Sequence, residues 1–187
     1  MRSILYPFTL SVLIAVCPLE KSFSQTTFPG DSIKAILVKD WERAKAYTAD
    51  YMKAMPADKY SLKANDSVRT FAQQLLHIVQ ANAFLVSLAK GESPNFSGRQ
   101  LERIQSAQSA DSVMYFVNHS YDDAIEALKK TTTGDLMKTN TFTMDKPYTA
   151  TRLSWFMKAF EHQTHHRGQT TIYLRDAGVK PPDERLF

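Results

Sequence analysis

Apolar residues recur at helical spacing along most of this chain, and polar gaps divide them into four long stretches. Ile33, Leu37, Trp41, Ala44, Thr48, Tyr51 and Met55 define a first helix. Asp31 or Ser32 caps its start and Pro56 ends it. Residues 57–66 read as a polar connector, pinned to the core by Tyr60 and Leu62. A second helix is predicted to start between Ser67 and Thr70, where Thr70 and Gln73 have capping-box spacing, and to run from Phe71 to Lys90, with Gly91 as its stop. Leu75, Leu76, Ile78, Val79, Ala83, Phe84, Val86 and Leu88 make it apolar around much of its circumference, so it belongs at the centre. His77 lies on a stripe with Gln73, Gln80 and Ala81, and polar groups on a buried helix cost free energy unless they are satisfied.

Residues 91–98 form a loop around Pro94 and Gly98, and 99–108 read as a short helix or an extension of the next one. The third helix is expected over Ser109 to Lys130, turning Val113, Phe116, Val117, Tyr121, Ala124, Ile125 and Leu128 inward. Lys129 and Lys130 suit its negative end. Residues 131–146 are the longest irregular stretch. The alternation over Thr141 to Met144 hints at a brief extended segment, part of a lid across one end. A fourth helix is expected from Pro147 to Gly178, with Leu153, Phe156, Met157, Phe160, Ile172 and Leu174 in the core. No repeat or linker interrupts the pattern, which describes an all-α bundle of four helices in one domain, residues 25–187.

Composition agrees with a globular helical protein: six glycines among 187 residues, 43% hydrophobic and 22% charged. The net charge of +4 is small and no basic run forms a stripe, which excludes a nucleic-acid surface. The N-terminus reads as a processing signal. Arg2 precedes an apolar run from Ile4 to Val16, too short for a membrane span, and Ser22 and Ser24 have the spacing a signal peptidase reads. Residues 1–24 are thus expected to be a signal peptide, giving an exported, periplasmic or secreted chain from Gln25 with no membrane anchor. The alternatives are a lipoprotein anchored at Cys17, for which Val16 is a bulky preceding residue, and after it an uncleaved membrane anchor. Cys17 is the only cysteine, so the cleaved chain has no thiol. A disulfide, a cysteine nucleophile and thiolate ligands are then excluded, and a bound metal is held by nitrogen and oxygen.

The candidate chemistry is in Glu161-His162-Gln163-Thr164-His165-His166-Arg167-Gly168-Gln169, which holds three of the five histidines. His162 and His166 are four apart, on one helical face, and two imidazoles there can point at one ion. His165 has the geometry to replace His166. A third ligand must come from elsewhere, and His77 on the second helix is the candidate. The frame resembles the H-E-x-x-H of zinc proteases, but Gln163 stands where the general base belongs, and an amide cannot serve as one. Gln73, Gln169 and Tyr173, one turn or so from the histidines, are candidates to orient ligands or touch substrate. Arg167 orients a ligand or pairs with a carboxylate on a neighbouring helix. His119 reads as a surface residue.

His77 within Phe71-Ala72-Gln73-Gln74-Leu75-Leu76-His77-Ile78, His162-x-x-x-His166-Arg167-Gly168-Gln169, and Leu174-Arg175-Asp176-Ala177-Gly178 followed by Pro181-Pro182 together resemble the DinB family (DinB/YfiT-like bundles) from about Trp41 to Pro182. The resemblance implies an up-down-down-up four-helix bundle. It implies a divalent metal on His77, His162 and His166, with His165 at the pocket edge or behind the ligands. Neutral imidazoles suit zinc or nickel first, then iron, manganese or copper. Three ligands leave coordination positions open, as catalytic sites do. The expected function is a metal-dependent transferase of thiol type or a hydrolase; the alternative is a module that binds metal or a small ligand without turnover. Dimers are common among bundles resembling this one.

Overall fold

The computed structural model describes residues 30–96 and 100–187. The predicted signal peptide, residues 1–24, and Cys17 with it, lie outside them. Four long helices dominate: α1 (Gly30–Ala54), α2 (Phe71–Lys90), α3 (Ala110–Lys130) and α5 (Arg152–Asp176). A single helical turn, α4 (Thr133–Leu136), and a hairpin of β1 (Thr139–Thr143) and β2 (Pro147–Thr151) fill the last connection.

Local signals account for the helix ends. The Thr70 hydroxyl accepts from the Gln73 backbone N–H (3.1 Å), and the Gln73 side chain accepts from the Thr70 N–H (3.0 Å), a complete capping box. At the other end Gly91, at φ +80°, lets its own N–H reach the Leu88 carbonyl and that of Glu92 reach Ser87. Gly178, at φ +78°, closes α5 in the same way against Arg175 and Leu174. Ser109 and Thr151 cap α3 and α5 through their hydroxyls.

Side-chain pairs fix the helix directions. Tyr173 meets Phe71 at one end of the α2–α5 pair, and His166 meets His77 further along. These two helices are therefore antiparallel. Lys129 reaches Glu42 while Lys45 reaches Asp122, so α1 and α3 are antiparallel as well. Trp41 with Phe160, and Tyr51 with Thr171, make α1 and α5 parallel. The bundle is thus up-down-down-up. Its core holds Trp41, Phe71, Leu75, Leu76, Ile78, Leu88, Leu128, Phe156 and Leu174, all essentially inaccessible to water.

Three expectations need correction. The fourth long helix does not begin at Pro147. Residues Pro147–Thr151 pair with β1 as an edge strand, where the missing proline N–H is tolerated, and the helix starts at Arg152. Met157 and Ile172 are not core residues; each is 50% exposed. Their places on the inner surface of α5 are taken by Trp155, Ala159, Gln163, His166, Arg167 and Thr170. Finally, α1 already includes Gly30, ahead of the expected cap at Asp31 or Ser32.

The hairpin lies against the C-terminal end of α2. The Asn140 side-chain amide donates to the Leu88 and Glu92 carbonyls (3.1 Å each), and the Trp155 indole N–H donates to the Asn140 carbonyl (3.2 Å). Phe142 and Phe84 meet edge to face, with ring centres 4.9 Å apart. The connector 57–66 is pinned by Tyr60, which is buried and donates to the Met52 carbonyl (2.8 Å).

Candidate metal centre

The antiparallel contact of α2 with α5 brings His77, His162 and His166 together. Ring centres lie 5.0 Å apart for His77–His162 and 4.5 Å for the other two pairs. One ring nitrogen from each lies within 4.8 Å of the others. No other group of histidine, cysteine or carboxylate side chains among the described residues is gathered in this way. His166 is buried, while His77 and His162 are partly open.

Hydrogen bonds determine which nitrogens are available. Tyr173 donates to the Arg69 carbonyl (2.6 Å), so its oxygen accepts from Gln74 Nε2 (3.3 Å). That turns Gln74 Oε1 toward His166 Nδ1 at 2.8 Å, and an amide oxygen can only accept. His166 therefore carries its proton on Nδ1 and presents the Nε2 lone pair. Glu102 does the same for His77, accepting from Nδ1 at 2.7 Å. Its carboxylate is held in turn by Gln80 Nε2 (2.9 Å) and Arg69 Nε (2.7 Å), and its backbone carbonyl by Gln73 (3.2 Å) and Gln108 (2.9 Å). Burial pushes the Glu102 pKa up, but the bonds from His77 and Arg69 outweigh it, and the net value lies below the ordinary one.

Burial, then the repulsion of neighbouring rings and Arg69, lowers the His162 pKa to about 4. Burial and the other histidines lower that of His166 to about 3. Near neutral pH both rings are uncharged, the form that donates a lone pair to a metal. His162 Nδ1 is buried without a hydrogen-bond partner, which fits a site that an ion completes.

The other predicted residues fall into place around this core. Tyr173 acts on His166 through Gln74, and Gln73 caps α2 and holds the Glu102 carbonyl, so neither faces the open side directly. His165 is exposed and accepts from the Gln169 amide (3.1 Å). Gln163 faces away from the histidines. Fully buried, it accepts from Tyr121 (2.7 Å) and Arg167 (2.8 Å), which removes it from any catalytic frame for a second reason. Of the two roles expected of Arg167, orienting a ligand or pairing with a carboxylate, its contacts among the described residues show neither: it donates to that amide and lies over the Tyr47 ring (4.7 Å). His119 is exposed beside Asp123.

Sequence reasoning missed Glu102 and Gln74. The spacing of Gln74 offered a signal, since α2 must turn residues three apart toward the same neighbour and Gln74 precedes His77 by three. Nothing local marked Glu102.

A four-helix bundle with a cluster of three histidines between its second and last long helices is the class that fold and site define. The DinB family model matches residues 25–185, and the chain belongs to the DinB family. It is similar in structure to a DinB-like protein from Bacillus cereus: TM-score 0.65, 21% identity, covering 79% of this chain and 95% of that one. It is also similar to a DinB-like protein from Bacillus subtilis, with TM-score 0.62 and 19% identity, covering 81% and 96%. These likenesses establish the fold. No curated protein matches the chain.

Proposed function

We propose that this protein binds a divalent transition metal, zinc or nickel before iron, manganese or copper, through His77, His162 and His166, and works as a metal-dependent transferase of thiol type. The observation that carries this reading is the cluster itself: three ring nitrogens within 4.8 Å, two of them on rings whose opposite nitrogen is fixed by Glu102 or Gln74. A metal held there supplies a Lewis acid that lowers the pKa of a coordinated thiol or water.

Thiol transfer is favoured over hydrolysis by the surroundings. Glu102, the carboxylate beside the cluster, has both oxygens committed to His77, Gln80 and Arg69. It orients a ligand and is not free to act as a general base. Coordination alone deprotonates a thiol, so that chemistry asks for no separate base. The same shortage of a free acid–base group supports the second reading, a module that captures metal or a small ligand without turnover.

Elemental analysis of the purified chain tests the metal. About one metal per chain is expected in the natural sequence, with loss in His77→Ala, His162→Ala and His166→Ala; equal content in all four proteins overturns the reading. A loaded protein inert across thiol-transfer panels favours the binding module. Export belongs to the same proposal. The family match begins at residue 25, next to the cut inferred after Ser24. Intact mass from a secreting host should correspond to a chain starting at Gln25, whereas a lipid-modified Cys17 would show the alternative.

A further inference from the structure

His77 and His162 form one wall of a recess of about 310 Å³, which continues along Ala81, Phe84, Leu85 and Phe96. His166 does not line it and sits beneath, buried. The accessible side of the cluster therefore opens toward carbon. Gln80 and Asn95 also border the recess, and the Gln80 amide is committed to Glu102. Phe84 and Phe96 stack with centres 5.5 Å apart and planes 27° apart, and Phe142 braces Phe84 from the hairpin.

We infer that the ligand of this centre carries an apolar, ring-sized substituent on its metal-binding head, seated between Ala81, Leu85 and the Phe84–Phe96 pair. The inference rests on the metal reading above and adds the class of ligand. A strongly polar tail placed in this recess would lose water and, among the described residues, meet few partners, which costs free energy. An aromatic or branched alkyl tail would gain by leaving water and by packing against the two rings. The volume, at the lower end for ligand pockets, is ample for a ring-sized group.

The test uses the cobalt-loaded chain and two thiols of similar acidity, phenylmethanethiol and 2-sulfanylethanol, each titrated while the thiolate-to-cobalt absorption band is followed. The aromatic thiol should bind about tenfold more tightly or better. Ala81→Trp, which fills the recess, and Phe96→Ala, which opens it, should each bring the ratio of the two affinities toward one. The cobalt spectrum of each variant before thiol addition reports that the histidine site is intact. Cobalt uptake with equal affinities, or with preference for the polar thiol, overturns the recess assignment and leaves the metal reading standing. Failure of the natural chain to take up cobalt overturns both.

Discussion

The proton on His166 Nδ1 is placed by a run of three hydrogen bonds that ends on a backbone carbonyl: Arg69 holds Tyr173, Tyr173 holds Gln74, and Gln74 holds the ring. Removing the middle link should cost metal affinity without touching a ligand. Gln74→Leu and Glu102→Gln are each expected to weaken binding about 10–100-fold, measured by competition with a chromophoric chelator. Unchanged affinity in both would show that these contacts do not set the rings. The titration of the rings gives a second prediction. His162 and His166 are held well below the ordinary histidine value of 6.5. Between about pH 6.5 and their folded values, the unfolded chain binds more protons than the folded one. The metal-free bundle should therefore be insensitive to these rings above pH 6.5 and lose stability as pH falls below it. Urea midpoints between pH 7.5 and 5 should decline in the natural chain and decline less in His166→Leu. At this scale the juxtaposition of His162 with His166 was legible because helical spacing is local, whereas His77, on another helix, was reached through the family resemblance. Glu102 was not legible, because it lies 25 positions beyond His77 with no periodic relation to it, and only the folded turn brings them within 2.7 Å.

The elements differ in how much of themselves they announce. α2 was readable to within a few residues at its start and to the residue at its end because both are set by neighbours in sequence: Thr70 with Gln73 at the start, Gly91 at the finish. Thr70→Ala should cost about 1 kcal/mol in unfolding free energy. Gly91→Ala should cost about 1–2 kcal/mol from the left-handed backbone, with the Arg152 guanidinium swinging aside to make room for the added carbon. Equilibrium denaturation of the two variants checks both, and a neutral Gly91→Ala would contradict the assigned geometry. The start of α5 was misread for the opposite reason. A proline φ suits a first helical turn and an edge strand alike, and the choice at Pro147 was made by pairing with Thr143. Met157 and Ile172 were misplaced because hydrophobicity marks the inner face of a helix only where that face is apolar. On α5 the inner positions include Gln163, His166, Arg167 and Thr170, so the polar site itself obscured the pattern.

For the molecule as a whole, the position of the cluster decides what metal does to stability. α2 and α5 are antiparallel neighbours along their length, and the three histidines bridge them: one on α2, two on α5. A metal bound there ties residues 77 and 166 of the sequence together only when both helices are docked, so it binds the folded bundle and not the separated chain. Linkage then requires stabilisation by RT ln(1 + [metal]/Kd), about 2.7 kcal/mol when free metal stands at 100 times Kd. For a chain of this size each kcal/mol moves the melting temperature by about 2–4 °C. Thermal melts followed by circular dichroism should therefore rise by about 5–10 °C between chelator-treated and metal-loaded protein at that concentration. His77→Ala should abolish the shift, whatever its effect on the metal-free melt, because removing the α2 ligand leaves His162 and His166 on a single helix with nothing to clamp. If the shift persisted in His77→Ala, the ion would be held within α5 alone, and the bridging geometry on which the open coordination face depends would be lost with it.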